Sequence, residues 1–226
     1  MGRLWLFLLV AWLTQNPILA LILVLLVSVG SYGYLTGRVL GVGRVLRDRR
    51  AIRGLGRTVA IAQHDLTARS ELGRLLVGLG RDAEALTALE PVVERQPDLA
   101  GARADFGLAL LRLGRVEEGE THLEEALALD PKLRYGEPIL RWADAASRWG
   151  DHAQAVRLLE KHRELHSSSV EGLYKLARAH LRMGDRARAG EVVESALAAH
   201  RTSPHFKRRM ERRWWLASRL LRWRTG

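Results

Sequence analysis

Between Leu66 and Ser203 the apolar and small positions of the chain follow one pattern that returns four times. Each copy reads as an amphipathic helical run, a glycine, and a second helical run. The glycines are Gly80, Gly114, Gly150 and Gly184, spaced 34, 36 and 34 residues apart. Seven residues before each stands a small residue (Gly73, Gly107, Ala143, Ala177), and five after stands another (Ala85, Gly119, Ala155, Ala189). Nine residues after comes an aliphatic one: Leu89, Leu123, Leu159 or Val193. A fixed period near 34 with small residues at set offsets predicts stacked two-helix units.

The physics of each position follows from its type. A left-handed residue at the corner ends the first helix, and glycine adopts that conformation at least cost. Small residues on the two facing helices let them approach closely. The aliphatic residues are expected to fill the space between units. Pro97 and Pro131 stop the second helix of the first two units, where Ser167 and Arg201 stand in the later ones. The units run over 66–99, 100–133, 136–169 and 170–203, with an insertion of two residues around Tyr135. This pattern resembles the tetratricopeptide repeat family. The resemblance implies an all-α solenoid of about four helix pairs, whose first helices line a concave surface that holds a partner peptide.

Before the repeats the pattern changes. From Ile18 to Leu35 no charged residue appears, and extending to Gly37 gives about twenty residues, enough at ~1.5 Å each to cross a ~30 Å hydrocarbon layer. Residues 1–37 are therefore expected to be a membrane anchor, either one span preceded by an apolar segment or a short hairpin; a cleaved leader is a third reading. Residues 38–65 form a basic juxtamembrane segment. Its arginines, Arg38, Arg44, Arg47, Arg49 and Arg50 among them, are expected at the membrane interface and place the repeats on the cytoplasmic side. The close of the apolar run, Gly33 to Arg38, is similar to the anchor end of a bacterial lipopolysaccharide-assembly regulator family, which joins one anchor to cytoplasmic repeats. That family ends in a metal ribbon with paired cysteines. This chain has no cysteine, so the likeness is one of architecture, and the metal site does not carry over.

Composition narrows the chemistry further. The absence of cysteine removes disulfides, thiolate zinc sites and cysteine nucleophiles. The net charge of +11 is unevenly spread: residues 58–204 are mildly acidic, while basic clusters flank them on both sides. No nucleophile elbow, phosphate loop or dinucleotide fingerprint appears. His162 and His166 are four apart, as a zinc pair requires, but nothing completes an HExxH pattern, and surface or turn-flanking histidines are expected. The chain reads as a non-enzyme with no cofactor and no metal.

Positions that face inward in the family pattern carry Arg74, Arg112, Arg141, Arg148, Lys175, Arg178 and Arg182, beside Glu71, Asp105, Glu137, Asp144 and Glu171. Guanidinium groups on a rigid curved wall suit carboxylates, phosphates or an acidic tail. The alternative is that these charges pair with one another at helical spacing. The asparagine clamp that some tetratricopeptide domains use for chaperone C-termini is absent, since Asn16 is the sole asparagine.

The last segment, 204–226, places Phe206, Met210, Trp214, Ala217 and Leu221 on one apolar stripe. It is expected to cap the solenoid and to bring Trp215 and Trp223 to a membrane interface. The sequence as a whole predicts a membrane-anchored scaffold on the cytoplasmic face of a bacterial inner membrane, binding protein or peptide partners, acidic ones favoured, through its groove. An envelope-facing assembly factor and an arginine-dependent nucleic-acid binder are the alternatives.

Overall fold

Glycine corners at Gly80, Gly114, Gly150 and Gly184 turn four helix pairs back on themselves. All four glycines are left-handed, with φ between 75° and 88°. At each corner the residue after the glycine donates to the carbonyl five residues earlier: Arg81 to Leu76, Arg115 to Leu110, Asp151 to Ala146 and Asp185 to His180, at 2.9–3.0 Å. This bond satisfies a carbonyl that the ending helix would otherwise leave unpaired, and only a left-handed residue allows it.

The computed structural model describes residues 45–225, so the expected anchor at 1–37, with Arg38 and Arg44, lies outside the described residues. The chain divides after Gly54 into two units. Residues 45–61 are helical, and among the described residues no helix is long and apolar enough to cross a membrane. The repeats comprise α1 (Leu66–Leu79) with α2 (Asp82–Arg95), α3 (Ala100–Arg112) with α4 (Val116–Leu129), α5 (Glu137–Trp149) with α6 (His152–Leu165), and α7 (Val170–Arg182) with α8 (Arg186–Thr202). α9 (His205–Arg222) follows. Among the described residues there is no strand, and the fold is an all-helical solenoid.

Sequence also sets where the helices start. Asp65, Asp151, Ser169 and Asp185 each accept from the amide three residues on, capping α1, α6, α7 and α8. α2 and α4 lack such a cap. They begin instead with acidic residues, Asp82 with Glu84 and Glu117 with Glu118, which favour the positive end of the helix.

Within a pair, the small residues do what their size suggests. A Cβ on Gly73 would lie 2.3 Å from Leu89, and one on Gly107 would meet the Gly119 carbonyl at 2.8 Å. Leu89, Leu123, Leu159 and Val193 are fully buried, each contributing about 1.5–3 kcal/mol of transfer free energy. Leu89 sits over Gly73 and Leu123 over Gly107, so these two fill the hollow inside their own pair.

Successive pairs stack through α2 on α3 and α6 on α7, while α1, α3, α5 and α7 run side by side. The stacking is interrupted once. α4 makes no extensive contact with α5, because the two inserted residues lie between them. Leu133–Gly136 forms a tight turn in which Arg134 (φ 47°), Tyr135 (φ 56°) and Gly136 (φ 75°) are all left-handed. For the two non-glycine residues this costs about 1–2 kcal/mol each. The return is a polar seam: the Arg134 guanidinium donates to both carboxylate oxygens of Asp105 at 2.7 and 2.6 Å, and Asp105 is only 3% exposed. Farther along, Trp142 Nε1 and the Gln154 amide both donate to Glu120.

Candidate functional site

The side-by-side first helices form one wall, and α9 folds back across its far end. Glu211 Oε1 accepts from the Val170 amide at 3.2 Å, at the start of α7. Trp214 lies 5.4 Å from the Tyr174 ring, and Lys207 Nζ donates to the carbonyl and hydroxyl of Ser168. α9 thus closes the solenoid and also walls the concave side.

The result is a cavity of ≈ 610 Å³. α3 contributes Arg112 and the inserted turn contributes Arg134 and Tyr135. α5 supplies Glu137, Leu140, Arg141, Asp144 and Arg148; α7 supplies Glu171 and Lys175, with its cap Ser169; α9 supplies Glu211, Arg213 and Trp214. Cationic residues outnumber anionic ones in this lining, six to four. A second hollow of ≈ 400 Å³, toward the glycine corners, shares Arg112 and Arg148 and adds Trp149.

Many of the cations are already engaged. Arg112 donates to the Val77 carbonyl at 2.7 Å and to Asp82 at 3.2 Å, and burial still holds the Asp82 carboxyl above its usual range, with Arg112 only partly offsetting it. Arg141 pairs with Glu137 at 2.5 Å. Lys175 is buried, bridges Asp144 and Glu171 at 2.8 and 2.9 Å, and lies 5.7 Å from the Trp214 ring centre. Arg148 is exposed; it donates to the Asp144 carbonyl of its own helix at 3.3 Å and stands close enough to Asp82 to help hold that carboxyl down. Burial raises the Glu211 carboxyl, whose Oε2 has no hydrogen-bond partner among the described residues.

Of the inward positions expected from sequence, Arg112, Arg141, Arg148 and Lys175 meet in the cavity. Arg74 pairs with Glu71 on its own helix at 3.6 Å. Arg178 lies over the Tyr174 ring at 5.9 Å, and Arg182 is exposed at the end of α7. Sequence reasoning overlooked Arg134, Tyr135, Glu211, Arg213 and Trp214 as lining. The signal for the first two was present, since the 36-residue spacing marks the insertion. Asp105, expected to face the groove, is instead buried beneath Arg134.

The histidine expectation is corrected too. His162 is 1% exposed, wedged where a Cβ on Gly136 or Gly172 would touch its ring at 2.7 or 2.6 Å. Its ring is bonded to the Tyr135 backbone. Burial, helped by His166 and Lys175 nearby, lowers its pKa to about 4, so it is neutral at pH 7. Among the described residues no three His, Asp or Glu side chains gather to hold a metal ion.

At the expected membrane interface, Arg47, Arg49 and Arg50 are exposed on the helix over 45–61. Trp215 stacks on His200 at 5.2 Å and is half-buried, whereas Trp223 is 87% exposed. The apolar stripe read along 206–221 also splits: Leu221 is buried, but Phe206 and Met210 face solvent.

Two tetratricopeptide repeat models match this chain, over residues 70–133 and 150–211. The stretch they skip holds the inserted turn and α5. No curated protein matches significantly in sequence. Among solved structures, MamA from Desulfovibrio magneticus is 19% identical, covers 76% of this chain and 94% of its own, and gives a TM-score of 0.59. A second MamA crystal structure is also 19% identical, with 66% and 86% covered and a TM-score of 0.58. A thermophilic TPR protein of Thermus thermophilus is 23% identical, with 81% and 95% covered and a TM-score of 0.53. At these identities the likeness is one of fold. Tetratricopeptide repeats are protein-interaction scaffolds, and with two such models matched over more than half its length, this chain belongs to that repeat family.

Proposed function

We propose that the chain is a membrane-tethered, non-catalytic scaffold that holds an extended, acidic segment of a protein partner against its concave wall. The observation that carries this reading is the ≈ 610 Å³ cavity with its cationic excess, built on rigid helices that need no rearrangement to receive a peptide. Arg148 and Arg213, with Arg178 and Arg182 farther along α7, are the cations for the partner. Tyr135, 87% exposed on its strained turn, is the aromatic contact at the rim.

The tether rests on the sequence. The uncharged run from Ile18 to Leu35 suits a bilayer, and the arginines after it favour the cytoplasmic side of a bacterial inner membrane. The proposed layout is an anchor over 1–37, a basic segment over 38–65, repeats over 66–203 and a basic helix over 204–226. A tether raises the local concentration of whatever the groove collects.

The test uses the full chain in detergent and a fluorescent glutamate-rich peptide. Binding is expected to weaken with salt and to fall by tenfold or more in the combined variant Arg148→Glu, Arg178→Glu, Arg182→Glu, by about 1 kcal/mol or less per exposed charge. Unchanged anisotropy in that variant would remove the groove from the account. A C-terminal reporter active only outside the cytoplasm would reverse the assigned side.

A further inference from the structure

α9 has one side committed to the repeats and another left bare. On the committed side lie Glu211, Trp214, Ser218 and Leu221, the last two buried. On the other side Phe206, Met210 and Leu220 are exposed, at spacings that keep them in one line along a helix. Leu216 and Trp223 widen this line and are exposed as well. Arg209 and Arg224 fall among them. No acidic residue does, because the helix's one carboxylate, Glu211, is turned toward α7.

A shallow cavity of ≈ 480 Å³ adjoins this face, lined by His200, His205, Arg208, Arg209, Arg212 and Trp215. Its lining has five side chains that donate through nitrogen in their charged form, and no carboxylate. Trp215 is held there by stacking on His200 and by Arg219, 5.2 Å above its ring.

We propose that this face of α9 docks on an anionic phospholipid surface, with Phe206, Met210, Leu220 and Trp223 entering the acyl boundary and Arg208, Arg209 and Arg212 taking headgroup phosphates. The chemistry selects lipid over RNA. Both offer phosphates to the arginines, but only a bilayer gives the row of large apolar side chains somewhere to be buried. The inference rests on the membrane location proposed above and adds a second point of attachment at the far end of the solenoid.

The absence of cysteine makes Leu220→Cys a single labelling site on an exposed position. The full chain, labelled there with a fluorophore, is reconstituted in phosphatidylcholine vesicles with or without an equimolar share of phosphatidylglycerol. Acrylamide quenching is expected to fall severalfold only with phosphatidylglycerol, while a label at Glu94→Cys on α2 stays accessible in both. Adding Arg209→Glu and Arg212→Glu restores quenching, with docking weakened about fivefold for each arginine lost. Equal quenching in both vesicles overturns the proposal. So does protection that grows with protein concentration in detergent, which would assign the face to a second copy, and so does protection by RNA alone. A chain that fails to float with vesicles after alkaline extraction defeats the tether and this docking together. One that floats with its label exposed defeats only the docking.

Discussion

The first junction between helix pairs and the second use the same repeat and different forces. At the first, Pro97 ends α2, α3 packs directly against it, and the gap is sealed by Arg112 reaching back to Val77 and Asp82. At the second, two more residues separate α4 from α5, and a left-handed turn replaces helix-on-helix contact with the buried Arg134–Asp105 pair. The first junction is a continuation of the stack. The second accepts backbone strain and desolvated charge, and it puts Tyr135 and Arg134 at the edge of the cavity. A small insertion in a periodic fold thus buys a site at the cost of a weaker seam.

The sharpest way to break this contrast is at two glycines with the same φ of 75°. Gly136→Ala adds left-handed strain and drives a Cβ to 2.7 Å from the buried His162 ring; a loss of about 3–4 kcal/mol is expected in denaturant unfolding. Gly80→Ala meets nothing within 4 Å and should lose only about 1 kcal/mol. Equal losses would mean that His162 yields easily.

Next in size is pH. His162 has a folded pKa of about 4 against an ordinary 6.5, so the unfolded chain binds its proton first as pH falls. The stabilisation is complete above pH 6.5 and is lost progressively down to about pH 4, about 3 kcal/mol in all. His162→Gln should flatten that slope in pH-dependent unfolding, although His166 and His122, lowered mainly by burial as well, leave a smaller one.

Arg134→Ala strands the Asp105 carboxylate, and a loss of about 2 kcal/mol is expected, below the fully buried figure because the guanidinium is partly exposed. Tyr135→Gly relieves a left-handed residue whose side chain touches little, so melting should show a gain of about 1 kcal/mol. If peptide binding weakens in that same variant, the strain is held for recognition. At the other extreme, Arg81→Ala removes an exposed pair with Glu84 at the first corner and should shift stability by no more than about 0.5 kcal/mol.

The helix pairs, their glycine corners and the close crossing inside each pair are written in the order of residues, because they depend on side chains at fixed local spacing. Gly107 facing Gly119 and the left-handed Gly150 are legible from period and size alone. The sequence also showed that two residues were inserted near Tyr135, through the one irregular interval. What those residues do was decided only by tertiary structure. Whether Arg134 faces solvent or clamps Asp105, whether His162 is a surface histidine or a core wedge, and whether α9 merely covers an end or also walls a cavity depend on neighbours 10 to 41 positions away in the chain. Helical periodicity fixes which face of a helix a residue occupies. It carries no information on which other element meets that face, and charge pairing, burial and the pKa of His162 all follow from that meeting.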